Sequence, residues 1–253
     1  MLPAAFVTTP IAHRALHDKT AGRPENSMEA IRAAIAAGYG IEIALQLSSD
    51  GEAMVFHDYD LARLTGTPGP IQRRSSAELR DLPLLGGETG IPTLAEVLAE
   101  VAGRVPLLIE IKDQDGTLGP AVGRLENAAA AALKGYAGPV AVMSFNPNST
   151  RIMGGLAPEV PRGLVTCSYR REDWPLIPGG RRDRLRGIPD YYTTKSQFIS
   201  HEAADLGSPR VAELKAQGVP ILCWTIRSPG QEAEARKTAD NVTFETYLPA
   251  VPT

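Results

Sequence analysis

The chain has little of what marks several specialised classes of protein. Two cysteines in 253 residues are too few for a disulfide framework, so we expect Cys167 and Cys223 to be buried thiols, with a single bridge between them as the alternative. No run of about 18 apolar residues occurs, which predicts that no helix crosses a membrane. The opening segment MLPAAFVTTPIAHR lacks the basic start and long apolar stretch of a signal peptide.

The balance of charge does not favour a nucleic-acid-binding protein. The chain carries 26 Lys and Arg against 29 Asp and Glu, a formal net charge of −3. Bulk electrostatics therefore does not attract a nucleic acid. We expect a cytoplasmic, soluble protein that has no nucleic-acid partner and no stable association with membranes. The sequence does not specify an oligomeric state.

What the chain does contain is enough apolar material for one large core. Hydrophobic residues make up 43% and charged residues 22% of the chain, which is typical of a globular protein. We expect a single domain over residues 1–253, in which residues 58–91 form a connecting segment or small insertion.

Short apolar or alternating runs recur between helical patterns, as in parallel β/α units. Strands are predicted at residues 11–14, 40–47, 53–57, 107–112, 140–144, 163–166, 220–224 and 241–244. Helices are predicted at residues 28–37, 94–101, 121–133, 209–217 and 231–238. Asn26 and Glu29 have the spacing of a capping box at the first helix, and Gly38 is placed to end it. Residues 174–190 are rich in Arg, Pro and Gly and are predicted to form a loop.

The strand predicted at residues 40–47 carries an acid among apolar residues. Strict alternation gives one face to four Ile and Leu residues, which in a barrel pack against helices. The other face carries Glu42, Ala44 and Gln46. A carboxylate that points inward is costly unless it is paired or binds a cation.

A second predicted strand repeats this arrangement, because Glu110 and Lys112 share one of its faces. His57 follows the third predicted strand, and His13 and Arg14 close the first. Two convergent carboxylates beside histidine and lysine suit a hard cation that holds a phosphate, and arginine suits bidentate phosphate contact. Each strand alone is equally well explained by a structural ion pair, but the two together favour a functional site.

The order and spacing of these residues resemble the glycerophosphodiester phosphodiesterase family. The resemblance extends from residue 11 to about residue 247, and the ordered set is specific although each piece alone is weak. The matching segments are His13-Arg14, Pro24-Glu25-Asn26-Ser27, Glu42, Asp50-Gly51, His57-Asp58, Pro92-Thr93-Leu94, Glu110-Ile111-Lys112, Ser144-Phe145-Asn146, Cys223-Trp224-Thr225 and residues 240–245.

The resemblance implies an α/β fold, a (β/α)8 TIM barrel with its site at the C-terminal ends of the strands. It also implies metal-dependent hydrolysis of glycerophosphodiesters, such as glycerophosphocholine and glycerophosphoethanolamine, to glycerol 3-phosphate and an alcohol. By position, His13 and His57 would be the general acid and base, in either order. Glu42 and Glu110 would bind a divalent metal, Mg²⁺ or Ca²⁺.

The same resemblance implies which residues hold the substrate. Arg14 and Lys112 would contact the phosphate oxygens, and Glu25 would orient neighbouring groups or support the metal. Phe145 and Trp224 would wall the alcohol side, although buried aromatic residues more often belong to a core. The expected partner is therefore a small phosphodiester.

Ala44 is the main departure from the family pattern, which usually runs Glu-x-Asp and supplies a second acidic ligand here. Even residues that only support metal ligands are typically worth roughly 10–100-fold in affinity or activity. Three interpretations follow: an impaired or inactivated enzyme, by deliberate substitution or otherwise; a working enzyme whose metal shell water or another residue completes; and a non-catalytic phosphodiester-binding barrel. Ala15 and Thr246 also stand where the family more often has glycine.

A second rival function is a lipid-directed phosphodiesterase of the sphingomyelinase D kind. Such a protein needs an exposed apolar or basic face for the membrane, and the sequence shows none. The two remaining histidines are expected outside the catalytic pair. His17 is expected in a solvated loop within reach of the substrate, and His201 in an exposed loop.

Overall fold

The computed structural model describes residues 1–251 and shows a closed barrel of parallel strands. In this range the strands are β1 (Ile11–Ala12), β2 (Gly40–Leu47), β3 (Ala53–Val55), β4 (Leu107–Ile111), β5 (Val140–Ser144), β6 (Arg162–Thr166), β7 (Phe198–Glu202), β8 (Ile221–Ile226) and β9 (Asn241–Phe244). All of these except β3 are parallel and follow one another around the barrel, which β1 closes by pairing with both β2 and β9. β3 pairs antiparallel with the end of β2 and lies outside the ring.

Helices surround the barrel and confirm the (β/α)8 architecture. They are α1 (Ala5–Thr8), α2 (Met28–Ala37), α3 (Ala62–Thr65), α4 (Ser76–Arg80), α5 (Leu94–Val101), α6 (Arg124–Leu133), α7 (Pro147–Leu156), α8 (Gly179–Arg186), α9 (Asp190–Thr193), α10 (Pro209–Ala216) and α11 (Pro229–Ala235). Within the described residues, no helix is both long and apolar enough to span a bilayer.

Apolar side chains pack on both sides of the barrel wall. The outward faces of the strands pack against the helices in one large cluster that includes Ile43 and Ile109. Inside the barrel, Leu108 and Phe198 pack with Phe6 of α1, which is fully buried. α1 therefore helps to fill the barrel interior, while the polar residues gather around a cavity at the strand ends.

The structure differs from the sequence predictions at three places, each for a local reason. The strand β7 was not predicted, because its sequence FISHE mixes apolar and polar residues on short spacing. His201 lies on this strand and is 1% exposed, not in an exposed loop, because Thr166 and Asp205 bind its ring nitrogens. The predicted loop at 174–190 contains α8, whose sequence GGRRDRLR buries only Leu185 and so shows no apolar period.

The start of α2 also differs from the prediction. Ser27, not Asn26, caps the helix by accepting a hydrogen bond from the Ala30 N–H, at 3.1 Å. Asn26 has a φ of 59° and directs its side-chain oxygen to the Ala44 N–H, at 3.4 Å. Glu29 is not part of a capping box, because it accepts hydrogen bonds from the segment at residues 88–89. Gly38 ends the helix in the left-handed conformation, as predicted.

Residues 58–91 fold over a small apolar cluster of their own beside β3. This cluster contains Met54, Phe56, Leu61, Leu64, Ile71, Leu79, Leu84 and Ile91. Short antiparallel bridges tie the segment together at Asp60–Pro70 and at Pro83–Gly90. The segment places Arg63 next to the predicted site, as described below.

Candidate active site

A cavity of about 200 Å³ is formed by residues of the barrel strands and of the segments that follow them. Its lining includes eight residues that the sequence predicts for the site: His13, Arg14, Glu42, His57, Glu110, Lys112, Phe145 and Trp224. Met143, Val165, Ser200, Thr225, Arg227 and Thr243 complete the lining. The structure thus brings together residues that are distant in sequence, from six different strands or strand ends.

The two predicted metal-binding carboxylates are buried in this cavity. Glu42 is 3% exposed and Glu110 is 7% exposed. Burial raises the pKa of Glu42, and the nearby Glu110 carboxylate adds to this effect. Burial alone would also raise the pKa of Glu110, but the charge of Lys112 and its hydrogen bond to the carboxylate outweigh burial, and the pKa is lowered. Two acids of opposite pKa shift therefore face one cavity.

Lys112 connects one carboxylate to one histidine. Its ammonium nitrogen lies 2.8 Å from Glu110 Oε2 and 2.9 Å from His57 Nε2. The other ring nitrogen of His57 lies 2.8 Å from the Asp58 carboxylate. Burial lowers the pKa of His57, although Asp58 acts in the opposite direction. Since an ammonium group can only donate, Nε2 of His57 accepts this bond and carries no proton of its own.

His13 has an equivalent carboxylate partner in Glu245. His13 Nδ1 lies 2.7 Å from Glu245 Oε2, and Arg227 Nε donates to the other carboxylate oxygen, at 2.7 Å. The hydrogen bond from His13 lowers the pKa of Glu245 well below its usual range. His17 is partly buried and lies 3.7 Å from the same carboxylate, so it is adjacent to the site although it does not line the cavity. No separate role was predicted for Glu245, which appeared only within the late segment that resembles the family.

A chain of ion pairs holds Arg14 at the rim of the cavity. Arg14 donates to Glu25 Oε1 at 2.7 Å. Arg63 donates to both oxygens of Glu25, at 2.9 and 2.7 Å, and also to Asp58. Although burial acts to raise it, Arg63 and Arg14 lower the pKa of Glu25 to about 2. Glu25 does not line the cavity, and its contacts make it a support for Arg14.

Aromatic side chains form the opposite wall. Phe145 and Trp224 meet edge to face, with ring centroids 5.6 Å apart. Trp174 packs on Phe145 at 4.9 Å and on Tyr169 at 5.3 Å, so the segment after β6 supports this wall from outside. Trp174 was not predicted as part of the aromatic wall. It lies in a segment rich in turn-forming residues, and such a sequence does not indicate which distant side chains the segment packs against.

A larger groove lies away from these residues and lacks their chemistry. It has a volume of about 670 Å³ and lies between α2, α5 and the 58–91 segment. Its arginines Arg32, Arg80 and Arg104 are each paired with Glu96 or Glu100. Size alone would favour this groove, but its lining contains no histidine to transfer a proton.

Comparison with known proteins identifies the family of the chain. The sequence profile of the glycerophosphoryl diester phosphodiesterase family matches residues 13–244. A glycerophosphodiester phosphodiesterase of Caldanaerobacter subterraneus is 32% identical over 230 residues, which are 87% of this chain and 86% of that protein. The chain belongs to the glycerophosphodiester phosphodiesterase family of phosphoric diester hydrolases.

Solved structures show the same fold. An Oleispira antarctica phosphodiesterase in complex with the product sn-glycerol-3-phosphate superposes with a TM-score of 0.77 at 24% identity, covering 96% of this chain and 94% of that one. A glycerophosphodiester phosphodiesterase from Parabacteroides distasonis gives a TM-score of 0.72 at 24% identity, covering 94% and 92% of the two chains.

The family implies a divalent metal, for which this chain has two carboxylates. Within residues 1–251, no group of three or more His, Cys, Asp or Glu side chains is arranged to hold a metal ion. Ala44, where the sequence resemblance leads us to expect a second acid, is fully buried and lies in register opposite Glu110. Two carboxylates suit Mg²⁺, which usually keeps several waters, better than Ca²⁺, which takes about six to eight oxygen ligands.

The surroundings of Glu42 support a cation at this place. Glu42 Oε2 accepts a hydrogen bond from the Arg14 N–H, at 2.9 Å. In the described part of the chain, no side-chain nitrogen of Lys, Arg or His lies within 4.0 Å of the Glu42 carboxylate, whereas Glu110 has Lys112. A buried carboxylate without an ion pair is costly. The residues present therefore fit a magnesium ion at Glu42 and Glu110.

Two other departures from the family pattern fall on unusual backbone. Ala15 has a φ of 65° and Thr246 a φ of 68°, both in the left-handed region that favours glycine. Each of them directly follows a residue of the site in the chain: Ala15 follows Arg14, and Thr246 follows Glu245. The backbone of the site thus keeps the conformation that glycine would adopt most easily.

Proposed function

We propose that this chain hydrolyses small glycerophosphodiesters, such as glycerophosphocholine, to glycerol 3-phosphate and an alcohol. The observation that carries the proposal is a pair of histidines at one cavity, each bound to its own carboxylate, at 2.7 Å for His13 and 2.8 Å for His57. Two oriented imidazoles can remove one proton and supply another in the same reaction. The family and the fold support this reaction class.

His57 is the general base in this proposal. Its Nε2 accepts a hydrogen bond from Lys112, and its Nδ1 is held by Asp58, so the ring is neutral with an available lone pair. When Lys112 turns to a phosphate oxygen, that lone pair is free to take a proton from water or from the glycerol 2-hydroxyl. His13 is then the general acid, and the Glu245 carboxylate orients its ring through Nδ1, at 2.7 Å.

The negative charge of the phosphate is neutralised by cationic side chains and by the cation that the carboxylate pair would hold. Arg14 and Lys112 bind the phosphate oxygens, which lowers the cost of bringing a nucleophile to an anion. Glu42 and Glu110 would hold Mg²⁺, and the ion would supply Lewis-acid stabilisation of the phosphate. Glu25 keeps Arg14 in place through their ion pair.

The cavity volume limits the alcohol. About 200 Å³ is below the usual range of about 300–1,000 Å³ for drug-sized ligands, so a small headgroup fits and a long acyl chain does not. Phe145 and Trp224 form the wall on the alcohol side. A cytoplasmic location stays a prediction of the sequence alone.

Ala44 favours a second candidate function, a barrel that binds phosphodiesters without turnover. It keeps the phosphate contacts of Arg14 and Lys112, while the missing acid weakens the metal site. An assay of choline and glycerol 3-phosphate release from glycerophosphocholine, with and without Mg²⁺, separates the two. Release above a His57→Asn control supports hydrolysis, whereas calorimetric binding of the diester with no release supports the binding protein.

A further inference from the structure

Arg63 lies outside the active-site cavity and has no place in the catalysis described above. Its guanidinium group donates four hydrogen bonds, two to each of two carboxylates. Nε and Nη2 lie 2.5 and 2.9 Å from the two oxygens of Asp58. Nη1 and Nη2 lie 2.9 and 2.7 Å from the two oxygens of Glu25. A planar guanidinium can bind two carboxylates in this forked way, whereas the ammonium group of lysine cannot.

The two oxygens that Arg63 Nη2 binds also contact residues of the proposed reaction. Asp58 Oδ1 lies 2.8 Å from His57 Nδ1. Glu25 Oε1 accepts a hydrogen bond from Arg14 Nη1, at 2.7 Å. One nitrogen atom of Arg63 therefore lies between the carboxylate that orients the proposed base and the carboxylate that holds the phosphate-binding arginine. An unbroken series of hydrogen bonds runs from His57 to Arg14 through this atom.

The 58–91 segment fixes Arg63 in this position. Arg63 belongs to the short helix α3, and its neighbours Leu61 and Leu64 are buried in the small apolar cluster of the segment. The Leu64 carbonyl oxygen accepts a hydrogen bond from the Leu85 N–H, at 2.7 Å. The side chain of Arg63 is nevertheless 48% exposed. A core separate from that of the barrel thus presents this guanidinium to the rim of the cavity.

We propose that Arg63 is a positioning residue that keeps the general base and the phosphate-binding arginine in register with each other. It acts on the ring of His57 through Asp58 and on the guanidinium of Arg14 through Glu25, without touching the substrate. Placement of this kind matters, because a displacement of about 1 Å can lower a rate by about 10²-fold. The inference rests on the proposed function, and it adds a role for the segment that carries Arg63.

The charge of Arg63 is as important to this role as its shape. Glu25 and Asp58 are two carboxylates at the rim of a cavity that is proposed to bind an anion. Like charges repel, so without a cation between them the two groups would move apart and oppose the phosphate. Arg63 offsets this repulsion and holds both carboxylates in one plane of hydrogen bonds.

Arg63→Met and Arg63→Lys separate the contributions of charge and shape. Two quantities are measured with Mg²⁺ present: kcat for glycerophosphocholine, and the Kd of sn-glycerol 3-phosphate by isothermal titration calorimetry. Arg63→Met should lower kcat by about 10²-fold. It should also weaken binding of the phosphomonoester by about 10-fold, because Arg14 loses its support. Arg63→Lys should recover less than about 10-fold of the lost kcat, since lysine restores the charge without the fork.

Chemical rescue provides a readout that a purely structural role would not change. Because the side chain is half exposed, free guanidinium can enter the space left in Arg63→Ala. At concentrations far below those that unfold proteins, it should raise kcat of this variant by at least about 10-fold, whereas methylammonium, which lacks the fork, should not. Arg80→Ala is the matched control: Arg80 lies in the same segment, is 54% exposed and pairs with Glu96 at 2.6 Å. This control should keep kcat within about 2-fold of the parent and should not respond to guanidinium.

The outcomes separate this inference from the proposed function. If the parent hydrolyses the diester and the Arg63 variants behave like Arg80→Ala, the positioning role is wrong and the proposed function stands. Full recovery of kcat in Arg63→Lys, or a lower melting temperature in Arg63→Ala with no rescue of kcat by guanidinium, would also overturn the positioning role. A parent protein that releases no glycerol 3-phosphate would overturn the proposed function, and the positioning role with it.

Discussion

The two halves of the barrel mouth are built on different physical principles. On the side of β1, β2 and β4, charged residues hold one another: both histidines, Arg14 and Lys112 each contact a carboxylate within 2.8 Å. On the side of β5 to β8, aromatic and aliphatic side chains pack with few polar contacts. The first half therefore determines where charge is available, whereas the second determines the shape of the space beside it.

The largest effect is expected from the proposed catalytic pair of the charged half, His13 and His57. His57→Ala removes the proposed base but leaves the apolar half untouched, so kcat should fall by about 10²- to 10⁴-fold with little change of KM. Steady-state release of glycerol 3-phosphate measures this change. Tyr59→Phe is a control in the same segment, since Tyr59 contacts the Asp113 carbonyl oxygen and does not line the cavity. Similar losses in the two variants would contradict a special role for His57.

The ion pairs of the charged half also predict a pH dependence of stability. The pKa of Glu25 is about 2 in the folded protein against an ordinary value of 4.5. Because the folded pKa is the lower one, the stabilisation is fully present above pH 4.5 and is lost as the pH falls toward 2. The shift corresponds to about 3 kcal/mol of unfolding free energy.

Chemical denaturation at several pH values tests this expectation in Glu25→Gln. The variant should be less stable than the parent at pH 6, and the difference should shrink as the pH falls below 4.5. Glu159→Gln, at an exposed carboxylate, is the control and should follow the parent. A constant difference between Glu25→Gln and the parent at every pH would show that the carboxylate acts through packing and not through its charge.

A substitution at Ala44 can add a third carboxylate to the charged half. Ala44→Asp restores an acid in register with Glu110 and should raise both the affinity for Mg²⁺ and the metal-dependent activity by roughly 10–100-fold. A magnesium titration of the hydrolysis rate measures both quantities. Ala44→Asn is the matched control, because it adds similar volume without the charge. If Asp and Asn variants titrate alike, charge at this position does not set metal binding.

The apolar half should respond in stability more than in chemistry. Trp174→Ala removes two aromatic contacts, with Phe145 and Tyr169, and should lower the unfolding free energy by about 2 kcal/mol. The value of kcat should change by less than about 3-fold, because no charged group moves. Trp174→Phe keeps much of the packing and should be closer to the parent. A fall in kcat as large as that of His57→Ala would remove the distinction between the two halves.

The sequence predicts the charged half far better than the apolar half, for a physical reason. Glu42 and Glu110 are acids within alternating strands, and period-2 alternation fixes the face on which each lies. The strand boundaries at Gly40–Leu47 and Asn241–Phe244 match the predicted ones for the same reason. The resemblance to the family then supplied the order in which the strands meet.

What the sequence did not predict depends on contacts between distant segments. Arg63, which also binds Asp58, contacts Glu25 38 residues earlier in the chain, and no local pattern encodes that contact. Ser200 lies on a strand whose mixed sequence resembles a loop, so its place inside the barrel appears only when β7 is paired with β6 and β8. His201 was wrongly expected to be exposed because its buried partners, Thr166 and Asp205, are likewise fixed by the fold.

A crystal structure of the protein soaked with Mg²⁺ and sn-glycerol 3-phosphate would show whether phosphate, cation and both histidines meet in this cavity. We expect phosphate oxygens on Arg14 and Lys112, the cation against Glu42 and Glu110, and His13 and His57 on either side of the phosphorus. Phosphate bound outside the barrel, for example at the arginines between α2 and α5, with no ligand between the two histidines, would contradict it.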